Sequence, residues 1–251
     1  MLAVFRESVA IAPKELGNDN SDSRNCSRLR KSDKDLVEYF VSNNPQAMSV
    51  NLAGEGVMAY THHRQPLLMP RSFGVLDDVF CVFIGTVENL ASLRQEYGLT
   101  KKVNEVMIAI EAYKALRDRG PFPAEQVLQD FEGHFAFVLY DSTSKTVLAT
   151  RDVDGKAPLF WGKTADGSLA FSDEEEVLKD GCGTSFAPFP EGCFFSPTKG
   201  LQSYQHPLHK MKTEPWVDAT GQMCGVKFVV DSAVKEGIHH VSSTANWTND
   251  L

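Results

Sequence analysis

The sequence predicts one α+β domain, on three observations. An apolar stripe at helical spacing runs through residues 103–116, strand–turn–strand segments follow residue 133, and no repeat or Pro/Gly/Ser-rich linker divides the 251 residues. A chain of this length buries a substantial core. The domain is expected over residues 1–230, with a flexible loop at 13–34 and a loosely ordered tail at 231–251.

The elements follow in order. LAVF, Leu2 to Phe5, reads as an apolar first strand. Residues 13–34 are polar and read as a loop. DKDLVEYFVSN reads as a helix with Leu36, Tyr39 and Phe40 on one face. AMSVNLAGEGVMAYTHHR gives two strands joined at Gly54-Glu55-Gly56, and VFCVFIG, Val79 to Gly85, is a continuous apolar run and hence a buried strand. NLASLRQEYGL is a short helix with Asn89 at its N-cap and Gly98 just past its end. Val103, Val106, Met107, Ile110, Tyr113 and Leu116 form the stripe of a longer helix that Gly120-Pro121 stops. Arg117 and Arg119 in its last turn complement the helix dipole.

Strands then dominate. HFAFVLYD and TVLATRD flank the turn STSK, and APLFWG and SLAFS flank a turn at Asp166-Gly167. Ser172 and Glu175 read as a capping box opening the acidic helix DEEEVLKD, closed by Gly181. FFSP, LQSYQH and GVKFVV supply late strand segments.

Composition excludes several functions. Twenty-five lysines and arginines against 33 acids leave a net charge of −8, so no basic field favours nucleic acid. The run SRLRKSDK lies in a polar stretch and reads as a solvated loop. Five cysteines at wide spacing, with no CxxC pair, argue against a disulfide framework or zinc cluster and fit a reducing, cytoplasmic setting. No secretory leader and no apolar stretch long enough to span a bilayer is visible. His62 and His63 on one strand would point to opposite faces, and the acidic run 173–176 charges a helix start, so no metal and no cofactor is expected. Neither GxxxxGK[ST] nor GxSxG is present. Cys182 and Cys193, each after a glycine, read as buried thiols rather than self-cleavage points.

The segment DFEGHFAFVLYDSTSKTVLATRDVDGKAPLFWGKTADGSLAFSDEEEVL resembles the glutaminase domain of asparagine synthetases and other class II glutamine amidotransferases, with FPEG matching a following F-P-P-G. Within that superfamily the start MLAVF, HHRQPLLMPRSFGVLDD, YGL (97–99) and LRDR (116–119) resemble the plant aluminium-induced and stem-specific proteins. The resemblance implies a four-layer αββα sandwich of the N-terminal-nucleophile hydrolase type.

In the enzymes of that superfamily Met1 is removed, a cysteine becomes the first residue, and its thiolate attacks glutamine with its own α-amine as base. Here Leu2 stands at that position, and so large a second residue disfavours Met1 removal. The resemblance aligns the oxyanion-hole Asn with Ile84 and its Gly with Gly85; losing one such donor lowers rate by ~10²–10³. It aligns the Asp that binds the substrate ammonium with Val103, and the arginine that clamps the carboxylate with Arg64. Three of four chemical roles are thus absent, implying a pseudo-glutaminase with a vestigial pocket around Arg64 and Gly85. Arg64 paired with Asp77 or Asp78, and Gly85 kept for a backbone bend, are the structural alternatives.

Three functions remain open at this stage: an inactive domain acting by binding or assembly in stress or metal responses; a small-carboxylate or amino-acid sensor using Arg64; and a hydrolase with another nucleophile such as Cys81. Cys81 and Ile84 differ by an odd number, so they face opposite sides of one strand. A homodimer is expected from the resemblance alone.

Overall fold

The computed structural model describes residues 1–17, 30–63, 65–118, 124–217 and 223–235. Its strands are β1 (Leu2–Phe5), β2 (Met48–Asn51), β3 (Gly56–Tyr60), β4 (Arg71–Leu76), β5 (Val79–Val87), β6 (Gly133–Asp141), β7 (Thr146–Arg151), β8 (Phe160–Lys163), β9 (Leu169–Ser172), β10 (Phe186–Pro188), β11 (Cys193–Ser196), β12 (Gly200–Ser203), β13 (His209–Val217) and β14 (Met223–Lys235). Its helices are α1 (Asp33–Asn43), α2 (Leu90–Glu96), α3 (Glu105–Asp118), α4 (Ala124–Gln129) and α5 (Glu175–Cys182).

Two antiparallel sheets form, in the orders β10-β8-β9-β1-β3-β2 and β12-β11-β7-β6-β5-β4. Strand alternation explains why the central strands, such as β1 and β5, are apolar almost throughout. Met1, Ala3 and Phe5 of the first sheet meet Val82, Ile84, Ala136, Val138 and Tyr140 of the second in a core between the sheets. The intervening residues point outward. Leu2 and Val4 pack beneath α1 and α5 through Leu36, Phe40, Val177 and Leu178. Cys81, Phe83, Phe135 and Phe137 pack beneath α2, α3 and α4. The central strands of each sheet are therefore buried on both faces, and the layers stack αββα, as the resemblance implied. The β13–β14 hairpin adds Val226, Phe228 and Val230 to the inter-sheet core.

The local pattern places many elements well. β1 and α1 have the expected bounds, and α1 opens on a capping box of Ser32 and Asp35. Four elements escape it: β4, β10, β13 and α4. β4 is interrupted by Gly74, where a Cβ would lie 3.1 Å from Val106 of α3, so the glycine lets that helix approach closely. The two-residue turn Asp77-Asp78 joining β4 to β5 has φ of 46° and 64°, the left-handed pair a tight hairpin requires.

Several expectations are corrected. Ser172 does not cap α5: Glu174 holds the N-cap position, and the Ser172 hydroxyl donates to the Met1 carbonyl at 2.8 Å. Gly181 lies inside α5, which ends at Cys182 before Gly183 at φ 61°. Asn89 sits at the N-cap of α2, but its side chain instead bridges to the Asp130 carbonyl and the Glu132 amide. α3 begins at Glu105, leaving Val103 in the connection before it. β3 ends at Tyr60, so His62 and His63 lie in an exposed loop, not on a strand. β14 runs to Lys235, and the rest of the 231–251 tail and most of the 13–34 loop lie outside the described residues.

Candidate functional site

β1 is the third strand in from the β2 edge, held between β3 and β9, with Leu2 opposite Ala59 and Ser172. This pairing carries the start of the chain into the interior: Met1 and Leu2 are both 0% exposed. The Met1 side chain lies between the sheets, while Leu2 points the other way, into the layer under α1 and α5.

The Met1 α-ammonium is ion-paired with Asp173, the residue that follows β9. The other oxygen of that carboxylate accepts from Arg71 Nε at 2.5 Å, and both side chains are only 4% exposed. The Arg71 guanidinium also donates to the Thr61 carbonyl at 3.2 Å, the His63 carbonyl at 3.1 Å and Glu174 at 3.2 Å. Ser172 completes the cluster, its hydroxyl holding the Met1 carbonyl and accepting the Glu174 amide at 3.1 Å. Burial pushes the Met1 amine below its ordinary pKa near 8.0, while the Asp173 charge opposes that shift. Asp173 and Glu174 thus bind cations rather than charging the start of a helix.

An α-amine held in this way is spent on a carboxylate. Gly85, the aligned oxyanion donor, is spent as well: its N–H donates to the Pro70 carbonyl at 2.9 Å. Its φ is +100°, and a Cβ there would come within 1.9 Å of the His134 carbonyl oxygen. The backbone alone therefore requires glycine at this position.

The three substituted positions do not converge on one pocket. Leu2 packs under α1 and α5, Ile84 lies between the sheets, and Val103 is half-buried against the α2–α3 side of the second sheet. The Val103 carbonyl accepts from Arg94 Nε at 2.7 Å. Motif spacing places Val103 in the α2–α3 connection, whereas the acid beside the chain start is Asp173. Arg64 lies outside the described residues. Asp77, one of its suggested partners, is paired with Lys114 at 2.7 Å.

Sequence reasoning missed Arg71 and the ion-pairing role of Asp173. The available signal was an arginine opening an apolar run, which when buried demands a carboxylate. Cys81 faces the helices, opposite Ile84 as the odd spacing requires, and burial raises its thiol pKa far above the ordinary value. Burial likewise pushes Cys182 and Cys193 up to about 12. These thiols are free, buried and poor nucleophiles. No group of three or more metal-ligating side chains occurs among the described residues. Among them, too, no helix is long and apolar enough to cross a membrane.

Clefts open elsewhere. One of about 540 Å³ lies between α1 and the β2–β3 strands, floored by Val4, Val37, Val41 and Val57. Another of about 490 Å³ brings Tyr97 of YGL beside Leu116 of LRDR.

Comparison with known proteins agrees with the motifs. The chain is 39% identical to the stem-specific protein TSJT1 of Nicotiana tabacum over 151 residues, 60% of this chain and all of that protein. It is 28% identical to a probable asparagine synthetase of Dictyostelium discoideum over 208 residues, 76% of this chain but 34% of the enzyme. It is 34% identical to asparagine synthetase B of Escherichia coli over 128 residues, 49% of this chain and 21% of that enzyme. The chain therefore spans only about a third or less of these synthetases, the part related to their glutamine amidotransferase domain. The solved glutamine phosphoribosylpyrophosphate amidotransferase of B. subtilis, complexed with ADP and GMP, aligns at a TM-score of 0.45 and 16% identity, covering 59% of this chain and 34% of that one, too loosely to add to the fold argument. The model of the aluminium-induced protein family matches residues 2–230, and the chain belongs to that family.

Proposed function

We propose that this chain is a catalytically inactive glutamine amidotransferase-like domain that acts by binding or assembly. The observation that carries the reading is the buried Met1–Asp173–Arg71 cluster. Where a class II amidotransferase needs a thiolate and a free amine, this chain has an outward-facing leucine and an amine committed to a carboxylate. The occupied Gly85 amide supports the same reading, because a donor already bonded cannot stabilise an oxyanion without first breaking that bond. A reducing, cytoplasmic setting is part of the proposal, supported by three free buried cysteines. A role in stress or metal responses is proposed from the family name alone.

The test is calorimetric titration of the purified chain with L-glutamine, with released ammonia measured in parallel. No sustained heat and no ammonia are expected, from the wild type or from Leu2→Cys. Turnover by the wild type refutes the proposal. A saturable heat without ammonia turns it toward a small-carboxylate or amino-acid sensor, which Arg64→Ala should then abolish.

A further inference from the structure

We infer that two copies of this chain pair along one side of the sandwich, β2 beside β2 and β4 beside β4, about a two-fold axis normal to the sheets. β2 and β4 are the terminal strands of their sheets. They lie on the same side, because Tyr60 of β3, which pairs with Met48 of β2, stacks on Phe73 of β4 at 5.1 Å. Both sheets therefore end there together, each on a strand with one edge unpaired by any other described strand; on β4 the Arg71 amide is already held by the Gln65 side chain at 3.0 Å.

That side is also where large apolar side chains stand in solvent. Leu67 is 99% exposed, Leu68 82%, Met48 62% and Val75 46%. Isolated exposed leucines need no explanation, but two in succession beside two open strand edges do.

Their placement selects a second copy as the occupant. Leu67 and Leu68 lie in the connection leading to Arg71, at the start of β4, and Val75 lies near its end. Antiparallel pairing of β4 with its own copy sets the start of one strand against the end of the other. Leu67 and Leu68 of each copy then approach Val75 of the other, an isologous contact made twice. Charge points the same way. β2 reads MSVN, and Arg71, the charged residue of β4, is turned inward onto Asp173. Self-pairing thus opposes no like charges along the edges of a chain whose net charge is −8. A basic partner attracted by the overall charge would find no acid on these strands to recognise.

The pairing goes beyond the proposed lack of activity and is independent of it, since an active domain could associate by the same edges. The test is light scattering after size exclusion across a dilution series, on the wild type and on the double variant Leu67→Asp/Leu68→Asp. Both leucines are solvent-exposed, so the variant should keep the unfolding temperature that the wild type shows at dilutions where it is monomeric. Twice the chain mass is expected for the wild type. Association at least about 100-fold weaker is expected for the variant, because each interface would then bury four new charges. Hydrogen exchange at residues 48–51 and 71–76 should slow in the associated wild type and not in the variant. A wild type that stays monomeric at every concentration overturns the proposal. So does a dimer that the double variant leaves intact, with no protection of those two strands.

Discussion

Replacing Asp173 by asparagine keeps the side chain's shape and removes its charge, leaving two buried cations without their shared carboxylate. The Met1 side chain is 0% exposed and that of Arg71 4%, so water cannot take the missing place. Removing one partner of a buried ion pair costs about 3–5 kcal/mol. Here Glu174 and two backbone carbonyls still hold Arg71, and the amine can release its proton, so the lower figure of about 3 kcal/mol applies. For a chain of this size each kcal/mol shifts the unfolding temperature by about 2–4 °C. The expected fall is therefore about 6–12 °C in calorimetry. Arg71→Met made together with Asp173→Asn removes one stranded cation, so the double variant should be at least about 1 kcal/mol more stable than additivity predicts. The pH dependence follows from the depressed amine. Because the folded pKa lies below the ordinary 8.0, protonation is penalised in the fold. That penalty is full below the folded value and vanishes as pH rises to about 8, so this group makes stability rise with pH across the window. Without Asp173 the depression deepens and the rise steepens. A fall of less than about 2 °C, or strict additivity, would refute the claim that these charges form one buried unit.

Gly85→Ala should destabilise by about 3 kcal/mol or more, because φ +100° is strained for alanine and the new Cβ meets the His134 carbonyl at 1.9 Å; denaturant titration of the soluble fraction measures it. Asp141 shapes the acid limb of stability. Burial raises its pKa, but Arg117, the Ser144 amide and Tyr113 outweigh burial and hold it at about 2. Its stabilisation is present above the ordinary carboxylate range and lost as pH falls toward 2, so Asp141→Asn should flatten wild-type acid unfolding over that range.

The fold was legible where its signals are local. α1 carries its own capping box and stripe, and the β6–β7 hairpin carries its own turn, so neither needs the rest of the chain. β4 was not legible, because Gly74 answers to α3 rather than to the strand. β13 was not either: HKMKTEPWV shows no clean alternation, since β14 supplies most of the hairpin's core residues. The site was legible by position at Leu2 and illegible in its contacts. Arg71 and Asp173 are 102 positions apart, and no periodicity joins them. The same tertiary demand defeated the capping-box reading: Ser172 has the right neighbour at Glu175, yet the Met1 carbonyl lies within reach and takes its hydroxyl. Local rules rank partners along the chain, and folding then offers better ones.

Each of the residues singled out in this site answers to what the fold itself requires. Gly85 remains because no Cβ fits beneath His134. Asp173 and Arg71 occupy a region where an amine enters the interior and would otherwise stand alone. Leu2 is a residue the first sheet can use, since its outward position is packed by Leu36, Phe40 and Leu178. Each position is separately satisfied by packing or pairing, so none is left strained in readiness for chemistry. Restoring a thiol at position 2 would open a gap in the helix-facing layer and place the sulfur there, away from the space between the sheets. A partner would meet the surface where β2 and β4 end their sheets, with Arg71 turned inward onto Asp173 and two leucines standing in water.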